Sequence, residues 1–535
     1  MIRDPIREGL AAGWKVIDAA ALDRDLDLET DVVVIGSGAG GGVTADALSA
    51  AGLDVVILEE GPLVSSSEFR MREREAYPLL YQESSARQTT DKSITILQGR
   101  CVGGGTTVNW TSTFRAPART LAHWRDAFGL KRAAAQDLDP WFARMEERLA
   151  IAPWTVAPNE NNDVLRRGCA KLGYSHGGVA RNVKGCANLG YCGMGCPTNA
   201  KQSMLVTTIP AALSRGARLV QRARVRRLEI DGDNVTSCEA NGVAANGARP
   251  SAQVIRIRAR HYVLAAGGIG SPAILIASNA PDPANLVGRR TFLHPTVISA
   301  ALMPQAVNGH AGAPQSVYSD HFLDNAPLDG PAGFKLESGP THPVLTGITL
   351  PGFGEEHARW MQKFPNVQVV IALLRDGFHR DSRGGRVSLA ADGTPLLDYT
   401  IPDYLWQGAR RAYLAMAQIQ FAAGAQSVMP VHENAAPYTS LKDAREAVEG
   451  LPMRALAARV VSAHVMGGCP MGPDTRRALV DEEGRHHHLR NVSVHDGSVF
   501  PTSLGANPQL SIYAIAARSS AALARALKVP PATGG

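Results

Sequence analysis

The stretch from Asp31 to Glu60, DVVVIGSGAGGGVTADALSAAGLDVVILEE, constrains this chain more than any other part of it. An apolar run, Asp31 to Ile35, enters the glycine turn Gly36-Ser37-Gly38-Ala39-Gly40-Gly41. A small-residue helix follows, and then a second apolar run, Val55 to Leu58, that ends on Glu59 and Glu60. This is the strand–turn–helix–strand unit that binds a dinucleotide, and each part has a physical task. Gly36 permits the tight turn, Gly38 lets the backbone approach a pyrophosphate, and Gly41 lets the helix pack closely on the strand. The helix N-terminus offers free N–H groups and a positive dipole end to the phosphates. An acid closing the second strand accepts hydrogen bonds from ribose hydroxyls, and Glu59 and Glu60 stand at that spacing. The loop selects neither the dinucleotide nor the chemistry that follows.

At 535 residues the chain can bury more than one core and is expected to divide into at least two domains. The net charge of +6 is spread along the sequence without a long basic run, so a mildly basic enzyme is expected and nucleic acid is not. The first twenty residues lack the apolar core of a signal peptide and any Arg-Arg pair, which makes a cytoplasmic location the expectation. The most apolar long stretch is the glycine-loop region, interrupted by Asp46 and Asp54, so no transmembrane segment is expected. The seven cysteines are odd in number and four are scattered, unlike a disulfide framework.

Further dinucleotide-like pieces recur along the chain. GRCVGGGTTVNW (Gly99 to Trp110) makes a second glycine turn, and HYVLAA (His261 to Ala266) runs as a strand into Gly267-Gly268-Ile269-Gly270 and a helix. Residues 139–150 have the pattern of an amphipathic helix, and residues 217–230 alternate as one half-buried strand. Residues 300–455 are richer in Pro, Gly and polar residues. The end of the chain reads as a strand, a loop and a long small-residue helix that starts at Pro508 with Asn507 as its N-cap. One domain assembled from discontinuous segments accounts for this spread.

Taken together, ILEEGP, GRCVGGGTTVNW, LAAGGIGSPAIL, HVMGGCPMG and VHDGSVFPTSLGANPQLSIYAIAAR resemble, in content and order, the motifs of the glucose–methanol–choline (GMC) family of flavin oxidoreductases. The LYQES and AKQSMLVTTIPAAL stretches are similar to its long-chain alcohol oxidase branch. The resemblance implies an α/β fold: a Rossmann-like FAD-binding domain of discontinuous segments and a substrate domain with an antiparallel sheet covered by helices. The FAD domain is expected to comprise residues 1–130, 203–300 and 456–535, and the cap 131–202 and 301–455. The cofactor implied is FAD. Carried over residue by residue, Gly36, Gly38 and Gly41 face its pyrophosphate, Glu59 the adenosine ribose and Val225 the adenine. Gly103, Gly104 and Asn109 lie near the pyrophosphate and flavin, and Asp496 and Pro508 at the pyrophosphate-to-flavin end. Members that tether FAD covalently have a His before the Asn of the second glycine motif, where this chain has Val108, so the flavin is expected to be non-covalent.

The resemblance places the catalytic base on His464 and its partner on Asn507. An imidazole titrates near working pH and can accept a hydroxyl proton, while an amide can hold the same oxygen in line. The reaction implied is oxidation of an alcohol, with hydride passing to flavin N5. His486-His487-His488 is read instead as a solvated turn, because adjacent residues on a strand point to opposite faces and converge poorly on one ion. His294 receives no role.

Cys186, Cys192 and Cys196 stand at C-x5-C-x3-C in GCANLGYCGMGCPTNAK. Thiolates on a glycine-rich loop ending in Cys-Pro suit an iron–sulfur cluster, and three of them suit a 3Fe-4S centre. The spacing is similar to the cluster loop in catalytic subunits of bacterial FAD-dependent glucose dehydrogenases. Zinc, or a buried loop with inert thiols, are the other readings. A cluster implies a redox protein, cytochrome or quinone as electron acceptor; without one, O₂ can serve. The loop 63–98 and the segment 300–455, expected to cover the flavin's reacting face, carry Tyr77, Leu79, Leu80, Tyr81, Phe334, Trp360 and Phe378, which favours a hydrophobic primary alcohol. Sugars, sterols, a hydroxynitrile-lyase chemistry and a silent flavoprotein are the alternatives.

Overall fold

In a computed structural model, which describes residues 2–244 and 250–528, two large sheets stand on either side of one long cavity. The first begins with the strand Leu26–Ile35, whose Val32, Val33 and Val34 are fully buried because both faces are covered. It pairs in parallel with Val55–Glu59, and beyond that lie Arg218–Gln221 and Lys15–Asp18. On its other side runs the long strand Pro250–Leu264, parallel to it from Ile255 onward. That strand also pairs with Val492–Val494 near its end and with the antiparallel Asn234–Val243 near its start. The strand Ala223–Asp231 forms the outer edge.

The expected single strand over 217–230 is two strands in different parts of this sheet. The chain breaks at Arg222, which takes a positive φ of 54°. Its backbone N–H donates to the Gly61 carbonyl and its guanidinium grips the Asp18 carboxylate. Buried apolar residues stand on both sides of this corner, Leu219 and Val220 before it and Ala223 and Leu228 after it, so their spacing alone does not reveal it.

The second sheet runs in the order Ile94–Ile96, Val460–Ser462, Thr296–Leu302, Val367–Leu374, Phe334–Ser338, Val317–Ser319, Gly177–Gly178. All its pairings are antiparallel except the first. The helices Glu160–Leu172 and Asp403–Ala422 cover one face, burying Leu165, Leu405, Tyr413 and Met416 against Val370 and Leu336. The mixed α/β architecture with a Rossmann-like sheet is the one expected. The helix Ala135–Arg148, grouped from the sequence with the cap, buries Leu138, Phe142 and Met145 in the core of the first sheet. No helix among the described residues is long and apolar enough to cross a membrane.

Candidate active site

The cavity, of about 1060 Å³, starts at the C-terminal ends of the parallel strands and reaches the second sheet. At its near end the helix Ala39–Ala50 has Gly38 as N-cap with no side-chain cap, so its first-turn N–H groups are left for a ligand. Gly36 sits at φ 101°, and a Cβ there would stand 2.3 Å from the Ala265 carbonyl oxygen. The second glycine turn abuts the first: a Cβ on Gly104 would lie 2.8 Å from Gly38 Cα. The two turns thus make a backbone-lined cradle that only glycine permits.

Glu59 closes the strand Val55–Glu59 beside this cradle and lines the cavity. Its Oε2 accepts from the Ser37 N–H (3.0 Å) and hydroxyl (2.6 Å), and its Oε1 from the Gly61 N–H (2.8 Å). Burial pushes the carboxyl up to about 6, against these hydrogen bonds. Ser37 Oγ in turn accepts from the Gly103 N–H (2.9 Å), which couples the two glycine turns. Val225 and Glu60 complete this end, under the turn between the strands Gly385–Leu389 and Pro395–Asp398, where Asp392, Gly393 and Thr394 line the wall. The Asp392-Gly393 pair marks a hairpin in the sequence, but nothing there ties that hairpin to the glycine motifs, which it meets only through the fold.

Gly36, Gly38, Glu59, Gly104, Asn109, Val225, His464, Asp496, Asn507 and Pro508 all line this one cavity. Gly41 and Gly103 do not. A Cβ on Gly41 would fall 1.8 Å from the Gly36 carbonyl oxygen, so Gly41 serves the helix–strand contact rather than a phosphate. Gly103 stands one layer back, on Ser37. Asp496 is committed to the fold: one carboxylate oxygen accepts from the Gly267 N–H (2.8 Å) and the Ser271 hydroxyl, the other from the Ser498 N–H (2.8 Å) and hydroxyl.

The far end holds His464, just before the strand Val465–Gly467, and Asn507, just before the helix Gln509–Lys528. His464 is half-buried, and burial pulls its imidazole down to about 4. Its Nδ1 stands 3.0 Å from Nδ1 of His294, whose Nε2 accepts from the Gly505 N–H at 3.0 Å. His294, given no role from sequence, is therefore the direct partner of His464; no spacing links residues so far apart in the chain. Asn507 is not the helix cap. The Pro508 carbonyl accepts the first helical bond, from Ile512, which makes Pro508 itself the cap residue. The Asn507 amide instead donates from Nδ2 to Glu337 Oε2 (3.2 Å), and its Oδ1 has no partner in the protein.

Around this end the wall is apolar, from Tyr81, Leu97, Trp110, Ile371, Leu373 and Val461. Of the seven cap residues singled out from sequence, only Tyr81 lines the cavity. Phe334 and Leu80 are core, Trp360 packs beside Leu350, and Phe378 stacks on Arg375 and His123. Ile371 and Leu373 were legible as one face of a strand, but not which of its two faces meets the site.

The structure does not bring the cysteine loop together as a metal centre. Among the described residues no three His, Cys, Asp or Glu side chains gather as a ligand set. Cys186 Sγ accepts from the Asn188 N–H, Cys192 Sγ from Arg181, and Cys196 Sγ from the Lys201 N–H. The loop is held instead by buried Lys201, whose ammonium donates to the carbonyls of Thr107 (2.8 Å), Asn109 (2.7 Å) and Cys192 (2.7 Å). His486 is buried, not solvated, and its Nδ1 accepts from the His488 N–H.

A fold with paired glycine turns, and a histidine and an amide at the far end of one cavity, defines a flavoprotein-like oxidoreductase. Two family models described as GMC oxidoreductase match residues 77–296 and 381–516, and the chain belongs to that family. An uncharacterized GMC-type oxidoreductase, MT0511/MT0512, of Mycobacterium tuberculosis is 32% identical over 480 residues, covering 89% of this chain and 73% of that one. The long-chain-alcohol oxidase FAO4A of Arabidopsis thaliana is 26% identical over 510 residues, 92% of this chain and 68% of that one. Among solved structures, a formate oxidase of Aspergillus oryzae RIB40, studied for modification of its FAD, superposes with a TM-score of 0.66 at 15% identity, over 94% of this chain and 99% of that one.

Proposed function

We propose that this oxidoreductase binds FAD without a covalent bond and oxidises a hydrophobic primary alcohol to the aldehyde. The observation that carries the reading is the single cavity joining the glycine cradle and Glu59 to His464 and Asn507. The uncapped helix at Gly38 and the close approach of Gly104 suit a pyrophosphate, Glu59 a ribose and Val225 an adenine. FAD, when bound, supplies the two-electron acceptor for the hydrogen on the carbinol carbon. The protein's own part is to hold and deprotonate the hydroxyl group, and the His464 ring and the Asn507 amide stand among the polar groups at the reacting end for that task. The helix Gln509–Lys528 starts beside them and presents its positive end to charge that develops there. The apolar wall from Leu97 to Val461 suits an aliphatic or aromatic chain, in keeping with the long-chain-alcohol oxidase similarity. Val108, at the cavity wall, offers no nucleophile for a covalent flavin link.

The test is anaerobic mixing of the holoenzyme with a panel from butanol to hexadecanol, benzyl alcohol, glucose and a sterol, followed at the flavin band. Bleaching by hydrophobic alcohols is expected; bleaching by glucose or the sterol alone overturns the substrate class, and none at all overturns alcohol oxidation. His464→Ala is expected to slow bleaching by orders of magnitude with FAD retained. Repeating turnover with O₂ and with an artificial acceptor tells oxidase from dehydrogenase. Acid precipitation is expected to leave the protein colourless.

A further inference from the structure

The second sheet carries an apolar element that the chemistry at His464 does not use. Between the strands Phe334–Ser338 and Val367–Leu374 the chain makes two short helices, Pro343–Thr349 and Gly354–Gln362. Their inner side is core: Leu350, Trp360 and Met361 belong to one apolar cluster with Ile371 and Leu373, which line the reacting end of the cavity. Their outer side faces water with the wrong residues. Val344 is 46% exposed, Ile348 59% and Phe353 91%, all within one stretch of ten residues. Phe353 stands at the tip, between Gly352 at φ 88° and Gly354 at φ 59°, and a Cβ on Gly354 would meet nothing within 4 Å.

Single apolar side chains on a surface are common and need no partner. Three observations set this group apart. The hairpin is fastened in place: Glu73 accepts from the Val344 N–H (2.7 Å) and the Leu345 N–H (2.8 Å), and His357 Nε2 donates to the Gly347 carbonyl (2.9 Å), joining the two helices. It also stands beside the way in. Glu73 opens the helix Glu73–Leu80, which leads into Glu83 and Ser84; both line the cavity and both are exposed, so the cavity meets solvent there. Its border is cationic. Arg70, Arg72 and Arg74 flank Glu73, and Arg359 and Lys363 end the second helix, all exposed. The acids among them are Glu75, Glu355 and Glu356; Arg72 holds Glu75 (3.2 Å) and Arg359 holds Glu355 (2.9 Å). Among the described residues Arg70 and Lys363 have no acidic partner.

We propose that the hairpin 343–363 docks on an anionic lipid surface and that the hydrophobic alcohol enters the cavity from that lipid; the second half rests on the alcohol-oxidising reading above. A phenylalanine that stands clear of the fold offers a protein partner no pocket, but it inserts readily into a fluid layer. Apolar side chains of this kind reach about 5–10 Å into the boundary between headgroups and acyl chains. Arginine and lysine around them keep their charges at the level of the lipid phosphates. One exposed phenylalanine and two half-exposed aliphatic side chains fall short of the ~1000 Å² that a stable dimer buries. An alcohol with a long chain partitions into lipid rather than water, so a mouth held at the bilayer spares it the aqueous step.

Vesicle flotation of the holoenzyme tests the docking. Binding to vesicles of phosphatidylcholine with phosphatidylglycerol is expected, weaker on phosphatidylcholine alone and weakened by salt. Replacing Ile348 and Phe353 together by Ser should lower it about tenfold or more. Phe353→Trp should keep binding, with its added indole emission moving to the blue on vesicles; it serves as the test variant should the double replacement not fold. No flotation of the unaltered protein, equal flotation of the double variant, or no blue shift overturns the docking. A dimer that the double variant dissociates, without flotation, assigns the hairpin to a second copy of this chain and overturns the lipid. Anaerobic bleaching of the flavin then tests delivery. The double variant should be slower by about tenfold with hexadecanol held in vesicles and unaltered with butanol in solution. Equal rates with both overturn entry from lipid, whereas an unaltered enzyme that no alcohol bleaches overturns the underlying reading and leaves the flotation result standing.

Discussion

Glu59 shows how one residue can be located from sequence while its state cannot. Its place at the end of the strand after the glycine turn follows from spacing, but its three hydrogen bonds and its burial depend on Ser37 and Gly61 folding over it. With the carboxyl raised to about 6, a ribose that donates to the ionised form lowers that value again, and binding releases protons. FAD affinity is therefore expected to rise with pH up to just above about 6 and to level off beyond it. Titrating apoprotein with FAD by calorimetry from pH 5 to 8 checks this, and Glu59→Gln should flatten the profile. Gly36→Ala is expected to abolish FAD binding, since the new Cβ meets the Ala265 carbonyl oxygen at a φ of 101°; flavin content after purification reads it out. At this scale the glycine turns and the acid were legible, whereas the pairing of His294 with His464 was not. That pair forms only where two distant loops close on each other, and no periodicity encodes it.

The strands and helices were legible where one face or both are apolar over several residues. Val367–Leu374 is a strand as its run of Val, Ile and Leu suggests. The failures are corners and ends. Arg222 turns the chain inside a stretch that reads as one strand, and Asn507 falls one residue short of capping its helix because Pro508 already supplies the first carbonyl. The cysteine loop was read by its thiols, yet what organises it is Lys201, buried and pulled down to about 8 by that burial. Lys201→Met leaves three carbonyls without their shared donor and is expected to cost about 3 kcal/mol or more. A thermal melt of the holoenzyme should show the loss, and triple replacement of Cys186, Cys192 and Cys196 by Ser should leave flavin reduction by alcohol within about threefold, a difference of less than 1 kcal/mol.

For the molecule as a whole, the glycine motifs read from sequence meet at one end of the cavity, while the side chains of its other end were read only in part. The nucleotide end is built mainly of backbone, which glycine patterns report. The reaction end is built of side chains from the second sheet, such as Glu337 and Ile371, whose facing depends on register. Because the cavity lies between both sheets, FAD should stabilise them together. Apoprotein given FAD at about 100 times its Kd is expected to gain about 2.7 kcal/mol in a single cooperative transition, checked by denaturant unfolding with and without the flavin. The strand Pro250–Leu264 adds a matter of timing. It is flanked near its end by Leu26–Ile35 on one side and by Val492–Val494 on the other. The first neighbour leaves the ribosome long before the second. Closing so long a loop is slow, so a nascent chain holds an unfinished sheet edge for most of its synthesis. The cavity between the two sheets is complete only once that edge is paired, so flavin capture is expected to follow the closing of Val492–Val494 onto Pro250–Leu264.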